Sequence, residues 1–473
     1  MRHKGLLSLL VSLPLSVFAT PPQPVQIQLP KQKGVAAPKV AAHPHQAKGS
    51  QTNWYDGFLF QNQSMTYEFI RALGYTYAQG ADIGECISTA KKIQMDETPE
   101  TWYQAWLETA NRIYLLGQKF GAEGDVVSAR MAYLRASNYY RSASFYMDAP
   151  ENRKKAISAW KMSQQSFLLA IESMPNIKSV NIPYDRTTLH GYFIAAETKD
   201  APLLIINTGF DGTAEELYFA AGQAAYKHGY NVLFFDGPGQ GQTLKMQNIP
   251  FRPDWEKVVH AAINFASRLP NVDDKKIALM GMSMGGYLAL RACAFESKIK
   301  ACILDPGIYN FVATALSRLP EEDTKLLDKD PEKFDQIINQ SVKENIEANW
   351  FYNNGMWAFG AKTPAEFLRM AAQFKTGSWV KRVRAPALVI KNAADQFGAD
   401  QAHKLFQALP GRKTFYVFSQ ASTGQAHCQV GASAISDEVI FNWLNKVLNY
   451  RPLAAAPPIN PNPATPAPTE NNQ

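Results

Sequence analysis

The chain has little cysteine. Its four, Cys86, Cys293, Cys302 and Cys428 in 473 residues, fall in none of the close pairs that hold zinc or a redox dithiol. A zinc module and a disulfide-framed scaffold are thereby excluded, and buried free thiols are the expectation. A Cys293–Cys302 bond would need an oxidising compartment and helix-to-strand proximity. Long apolar runs are scarce too: past the extreme N-terminus none approaches the roughly twenty residues that cross a bilayer. Phosphate-cradling glycine motifs are missing, since Gly237-Pro-Gly-Gln-Gly241 has neither the Lys-Ser/Thr ending nor the G-x-G-x-x-G spacing. It reads as a tight strand-to-helix turn. Concentrated basic charge is lacking as well. The formal +7 rests on Arg2, Lys4, Lys31, Lys33, Lys39 and Lys48, and without these six the remaining chain carries +1. Phosphate backbones need a dense basic face, so no nucleic-acid partner is expected.

What is present divides the chain. Residues 1–19 read as a secretory signal peptide, with Arg2 and Lys4 ahead of an apolar run and small residues near Ala19, so the mature chain is expected to begin near Thr20 outside the cytoplasm, periplasmic or secreted. The run is too short for an anchor and holds Pro14, so no membrane span should remain after cleavage. Residues 20–51 and 451–473, rich in Pro, Ala and polar residues, read as a disordered linker and tail. Over 52–175 apolar and aromatic residues recur at three- and four-residue spacing, as in Tyr67-Glu-Phe-Ile70 and Trp102-Tyr-Gln-Ala-Trp106, which predicts a helical cap domain whose aromatics pack helix on helix.

At about residue 176 the period shortens. A hairpin at 180–194 precedes buried-type strands at 202–207, 231–236, 276–280 and 301–304, each separated by a helical stretch. Alternation of this kind predicts an α/β fold with a mostly parallel, doubly wound sheet, its first part over 176–307. Residues 308–380 are again helical and read as a lid inserted over the strand ends, after which 381–450 complete the core.

Between the strand at 276–280 and the helical stretch that follows stands Gly281-Met-Ser-Met-Gly-Gly286, which fits G-x-S-x-G, a sharp turn that exposes a serine above the sheet. A serine hydroxyl is a weak nucleophile and needs a histidine base held by a carboxylate, in the chain order Ser, acid, His. Only His403 and His427 follow Ser283. His403 lies on an amphipathic helical stretch and His427 in a loop beyond the strand at 414–418, so His427 is preferred. Asp395, just past the strand at 386–390, is the favoured acid, with Asp305 as competitor. Oxyanion donors are expected from the Met284 N–H and from Gly209-Phe-Asp-Gly212, with the Phe210 N–H ahead of Asp211. Thr213-Ala-Glu-Glu216 reads as a capping box, and Asp211 could itself cap that helix.

These stretches, together with the run Ala129–Arg141, the glycine turn Gly237-Pro-Gly-Gln-Gly241 and His427-Cys-Gln429, resemble α/β hydrolases with a helical N-terminal cap. That family includes 2,6-dihydroxypseudooxynicotine hydrolase, fungal heptaketide-shortening hydrolases and FrsA-like esterases. The resemblance implies a Ser283, Asp395 and His427 triad, no cofactor or metal, often a homodimer, and cleavage of esters or of carbon–carbon bonds next to a ketone. In the nicotine-pathway enzyme a further glutamate assists carbon–carbon cleavage, and Asp211 stands at the matching position as a shorter auxiliary carboxylate. The expected activity is therefore that of a carboxylic-ester hydrolase on a small, partly apolar molecule. Carbon–carbon hydrolysis is the enzyme alternative, and a binding protein without catalysis is the alternative of another class.

Overall fold

The computed structural model describes residues 52–397 and 401–451. The expected signal peptide, linker and tail (Arg451 apart) lie outside these residues. Five helices open the described chain: α1 Gln63–Gly74, α2 Ile83–Ile93, α3 Pro99–Ala122, α4 Val126–Ser144 and α5 Arg153–Ile171. Their starts are chemically marked. Asp82, Thr98 and Asp125 each accept from a backbone N–H of the following first turn, and Pro99 occupies a position where no donor is needed. Trp102 and Trp106, one turn apart on α3, are fully buried with Phe69 of α1 and Tyr139 of α4. Each such side chain contributes on the order of 2–3 kcal/mol of transfer free energy, so this aromatic seam holds the helices together.

Eight strands form one sheet: β1 Ile177–Tyr184, β2 Thr187–Ile194, β3 Ala201–Asn207, β4 Asn231–Phe235, β5 Val272–Met282, β6 Ile299–Asp305, β7 Ala387–Asn392 and β8 Lys413–Phe418, in the order β1-β2-β4-β3-β5-β6-β7-β8. β1 and β2 form an antiparallel hairpin, β2 runs antiparallel to β4, and every remaining pair is parallel. β3 and β4 are buried along their whole length, as strands covered on both faces by helices must be.

Register sets out the edge where chemistry can gather. Asn207 of β3 pairs with Gly281 of β5, and Met282 of β5 with Asp305 of β6. The loops after these strands therefore begin side by side. Connections leave β3 toward β4 on one side and return to β5 on the other, which opens a crevice at the strand ends.

Between β6 and β7 the chain leaves the sheet for further helices, among them Glu321–Lys329, Pro331–Glu344, Ile346–Phe359 and Pro364–Ala371. Its neck is closed by an antiparallel bridge between Asn310 and Lys375, flanked by Phe311 N–H to Phe374 O at 3.0 Å and Thr376 N–H to Tyr309 O at 2.7 Å. No helix among the described residues is long and apolar enough to cross a membrane.

One expectation is corrected. Cys293, on the helix Gly285–Phe295, is joined by a disulfide to Cys302 on β6, whereas Cys86 and Cys428 are free. The helix packs against β6, the strand that comes after it, so that the short turn between them brings the two sulfurs together at positions nine apart in sequence.

Candidate active site

Ser283 follows β5 with φ +59°, in the left-handed region that a non-glycine residue occupies only when its surroundings enforce it. Two restraints do so. Its N–H donates to Asp305 O at 2.7 Å, and the turn closes so tightly that a β-carbon on Gly281 would collide with the Gly285 carbonyl. Gly209 shows the same crowding from the neighbouring loop, since a β-carbon there would lie 2.6 Å from Met284 N. The loops after β3 and β5 are thus in backbone contact.

His427 reaches this turn from the chain beyond β8. Its Nε2 lies 2.9 Å from Ser283 Oγ, and its Nδ1 lies 2.9 and 3.0 Å from the two carboxylate oxygens of Asp395. A carboxylate only accepts, so Nδ1 carries a proton, and whenever the ring is neutral its Nε2 is left to accept from the serine. Asp395 also accepts from Phe397 N–H at 2.7 Å, and the Phe397 ring meets the imidazole edge-on at 5.0 Å. Burial disfavours the imidazolium, but the Asp395 carboxylate more than offsets this and lifts His427 well above the usual histidine range.

The competitors stand elsewhere. Asp305 accepts from Gln429 Nε2 at 2.8 Å, and burial pushes its carboxyl up to about 6. Gln429 in turn accepts from Ser436 Oγ, so Asp305 anchors the turn that carries His427 instead of contacting the imidazole. His403 is exposed on the helix Gln401–Ala408, beside Gln407.

Phe210 and Met284 line the cavity onto which Ser283 opens, and both are buried. Neither backbone N–H has an acceptor among the described residues. Buried amide hydrogens are rarely left so, and two such donors in residues that line one cavity with Ser283 are candidates to receive a developing negative charge.

Asp211 does not cap the following helix, as one reading of the sequence allowed. That role falls to Thr213, whose Oγ1 accepts from Glu216 N–H, while the Glu216 carboxylate, instead of closing a capping box, turns to Arg71 at 2.7 and 2.8 Å and to Tyr75 at 2.7 Å. Asp211 pairs with Arg71 at 2.9 Å and with Arg141 at 3.7 Å, and Glu68 contacts both arginines. Burial works against ionisation of Asp211, but the two guanidinium groups prevail and hold it below the usual carboxylate range. For Glu68 burial prevails and its carboxyl is raised.

Sequence reasoning passed over Glu68, Arg71 and Arg141, which sit in stripes read as packing. The available signal was charge inside an apolar stripe: Glu68 stands between Tyr67 and Phe69, both buried. Aromatic rings line the same cavity, with Phe145 beneath the Arg141 guanidinium at 5.1 Å and stacked on Trp350 at 5.0 Å, and Phe210 packed against Phe311 and Phe351. Among the described residues no group of three His, Cys, Asp or Glu side chains converges as a metal would require.

Comparison with known proteins agrees with this architecture. The 20-hydroxy-prefusarin hydrolase of Gibberella moniliformis is 33% identical over 414 residues, covering 82% of this chain and 97% of its own. An alpha/beta hydrolase of Aspergillus fumigatus is 31% identical over 435 residues, covering 84% and 96%. The crystal structure of 2,6-dihydroxy-pseudo-oxynicotine hydrolase superposes with a TM-score of 0.63 over 80% of this chain and 95% of that one, and at 19% identity this likeness concerns the fold. Residues 189–429 match the sequence profile of the alpha/beta hydrolase family, and with relatives of this similarity along most of its length the chain belongs to that family and is an enzyme of the hydrolase class.

Proposed function

We propose that the protein is a serine carboxylic-ester hydrolase in which Ser283 attacks the acyl carbon, His427 takes the serine proton and returns it to the leaving alcohol, and Asp395 holds the imidazole. The Phe210 and Met284 N–H groups receive the tetrahedral oxyanion, and water then releases the acyl group. The observation that carries this reading is the unbroken chain from Ser283 Oγ through His427 to Asp395, at 2.9 Å per contact, with two N–H groups in buried residues lining the same cavity that have no acceptor among the described residues. The substrate is a small molecule with an apolar body against the aromatic wall and a hydroxyl-bearing end toward Arg71, Glu68 and Asp211. The Gibberella relative is named for a hydroxylated substrate, which supports that choice.

Labelling by a fluorophosphonate and hydrolysis of a panel of esters test the reading. Ser283→Ala is expected to remove labelling and to lower turnover on the order of 10⁴- to 10⁶-fold, with the fold intact by circular dichroism. Retained turnover would overturn it.

One observation favours carbon–carbon hydrolysis as a second reading. A departing carbanion needs a proton, and Glu68, which lines the cavity beside Arg71 and Arg141, is shifted by burial toward its protonated form, whereas the two guanidinium groups shift Asp211 the other way. Efficient cleavage of an aryl ketone with no ester turnover would select it. Export is part of the proposal as well, supported by the basic and apolar N-terminal residues and by the Cys293–Cys302 bond, which suits an oxidising compartment. Mass spectrometry of exported material beginning near Thr20 is the expected result.

A further inference from the structure

The glycine turn after β4 has a use that its reading as a simple bend leaves open. Gln240 within it is 2% exposed, and its carboxamide is completely engaged. Nε2 donates to Thr208 O at 2.9 Å and to Gly209 O at 3.0 Å, while Oε1 accepts from Gly237 N–H at 3.0 Å. Only one orientation of the amide fits, because a flipped group would set its oxygen against two carbonyl oxygens and its NH₂ against an N–H.

These carbonyls belong to the loop after β3. A trans peptide is planar with its C=O and N–H pointing oppositely, so fixing Gly209 O fixes the direction of the Phe210 N–H across the same plane. The next carbonyl, Phe210 O, is held by Asn354 Nδ2 at 3.1 Å, from the inserted helix Ile346–Phe359. Three successive carbonyls are therefore tied by side-chain amides from two other parts of the chain. Between these ties lies the Phe210 N–H, with no acceptor among the described residues, in a buried residue that lines the cavity of Ser283.

We propose that Gln240 is a positioning residue that aims the Phe210 N–H at the oxyanion, with Asn354 holding the far side of the same loop. The inference rests on the serine-hydrolase reading above. Its physical content is preorganisation: a donor already aimed needs no rearrangement when charge develops, whereas a loosened one must be reoriented at each turnover.

The test compares Gln240→Met and Gln240→Glu with the wild type in the full-length protein, using an ester that the wild type hydrolyses. Met keeps the length and loses all three hydrogen bonds. Glu keeps the shape and the Gly237 contact but turns an oxygen toward two carbonyls. Both are expected to lower kcat by about 10- to 10³-fold, to leave KM within about threefold, and to slow fluorophosphonate labelling in parallel, since phosphonylation also places charge on an oxygen. The acid limb of the pH profile, which reports His427, is expected to stay in place. Wild-type kcat in folded Gln240→Met would overturn the proposal while leaving the hydrolase reading intact. So would a displaced acid limb, a loss confined to KM, or failure of both variants to fold, each of which marks a structural role. If Ser283→Ala keeps its turnover, the hydrolase reading fails and this inference fails with it.

Discussion

Ser283 and His427 owe their arrangement to backbone conformations that few residues tolerate. Ser283 has φ +59°, and Cys428 and Gln429, directly after the histidine, have φ +50° and +51°. The chain turns sharply on both sides of the shared hydrogen bond, which directs the two side chains toward each other. The histidine then sets the pH response. An imidazolium cannot accept the serine proton, so turnover is present above the His427 pKa and lost as pH falls through it. Because Asp395 raises that pKa, the acid limb is expected above the ordinary histidine value of about 6.5. In Asp395→Asn burial dominates, and the limb should move to lower pH while kcat falls on the order of 10⁴-fold. A pH–rate profile of both proteins checks the shift and its sign. At this scale much was legible, because chain order left two histidines after Ser283 and only one of them in a loop at the sheet edge. What could not be read was the part taken by Asp305. Its link to Gln429 depends on a turn whose shape is set by contacts distant in sequence.

At the scale of elements, α1 and α4 bring charge into an interior otherwise lined with aromatic rings. Arg71 contacts Glu68, Asp211 and Glu216, and Arg141 repeats those contacts from the next layer. Removing one partner of a buried ion network leaves opposite charges uncompensated, so Arg71→Met is expected to lower stability by about 3–5 kcal/mol in urea titration. A change below about 1 kcal/mol would show that water already screens the cluster. The helices themselves were legible from their caps and spacing, and so were the buried strands. The ion network was not, because hydrophobic period tells which face of a helix is inward but not which loop it meets. Asp211 lies 140 residues from Arg71. The Cys293–Cys302 pair could be named from sequence but not established, for a related reason: proximity there follows from the angle at which the helix packs on β6, which sequence spacing does not encode.

At the scale of the whole molecule, the inserted helices differ from the sheet in how deeply they are seated. Along Glu321–Lys329 and Pro331–Glu344 only Leu327, Phe334 and Ile338 are buried, whereas β3 and β4 are buried throughout. Amide hydrogen exchange is therefore expected to open these two helices together, well before the sheet, and uniform protection would contradict this. The insertion was legible as helical from composition, but its closed neck was not, because a single bridge between Asn310 and Lys375 leaves no periodic trace. That neck has an evolutionary consequence. β6 and β7 are hydrogen-bonded neighbours, so the sheet registers only that the chain departs and comes back beside its starting point. The sheet alone would therefore let the excursion change in length without shifting the edge on which Ser283 stands or the strand that leads to Asp395, and Asn354, through Phe210 O, is the contact any such change would have to keep. Trp350 and Phe351 stand on this excursion, so the cavity wall there can be altered without touching the strands that carry the proposed reacting groups.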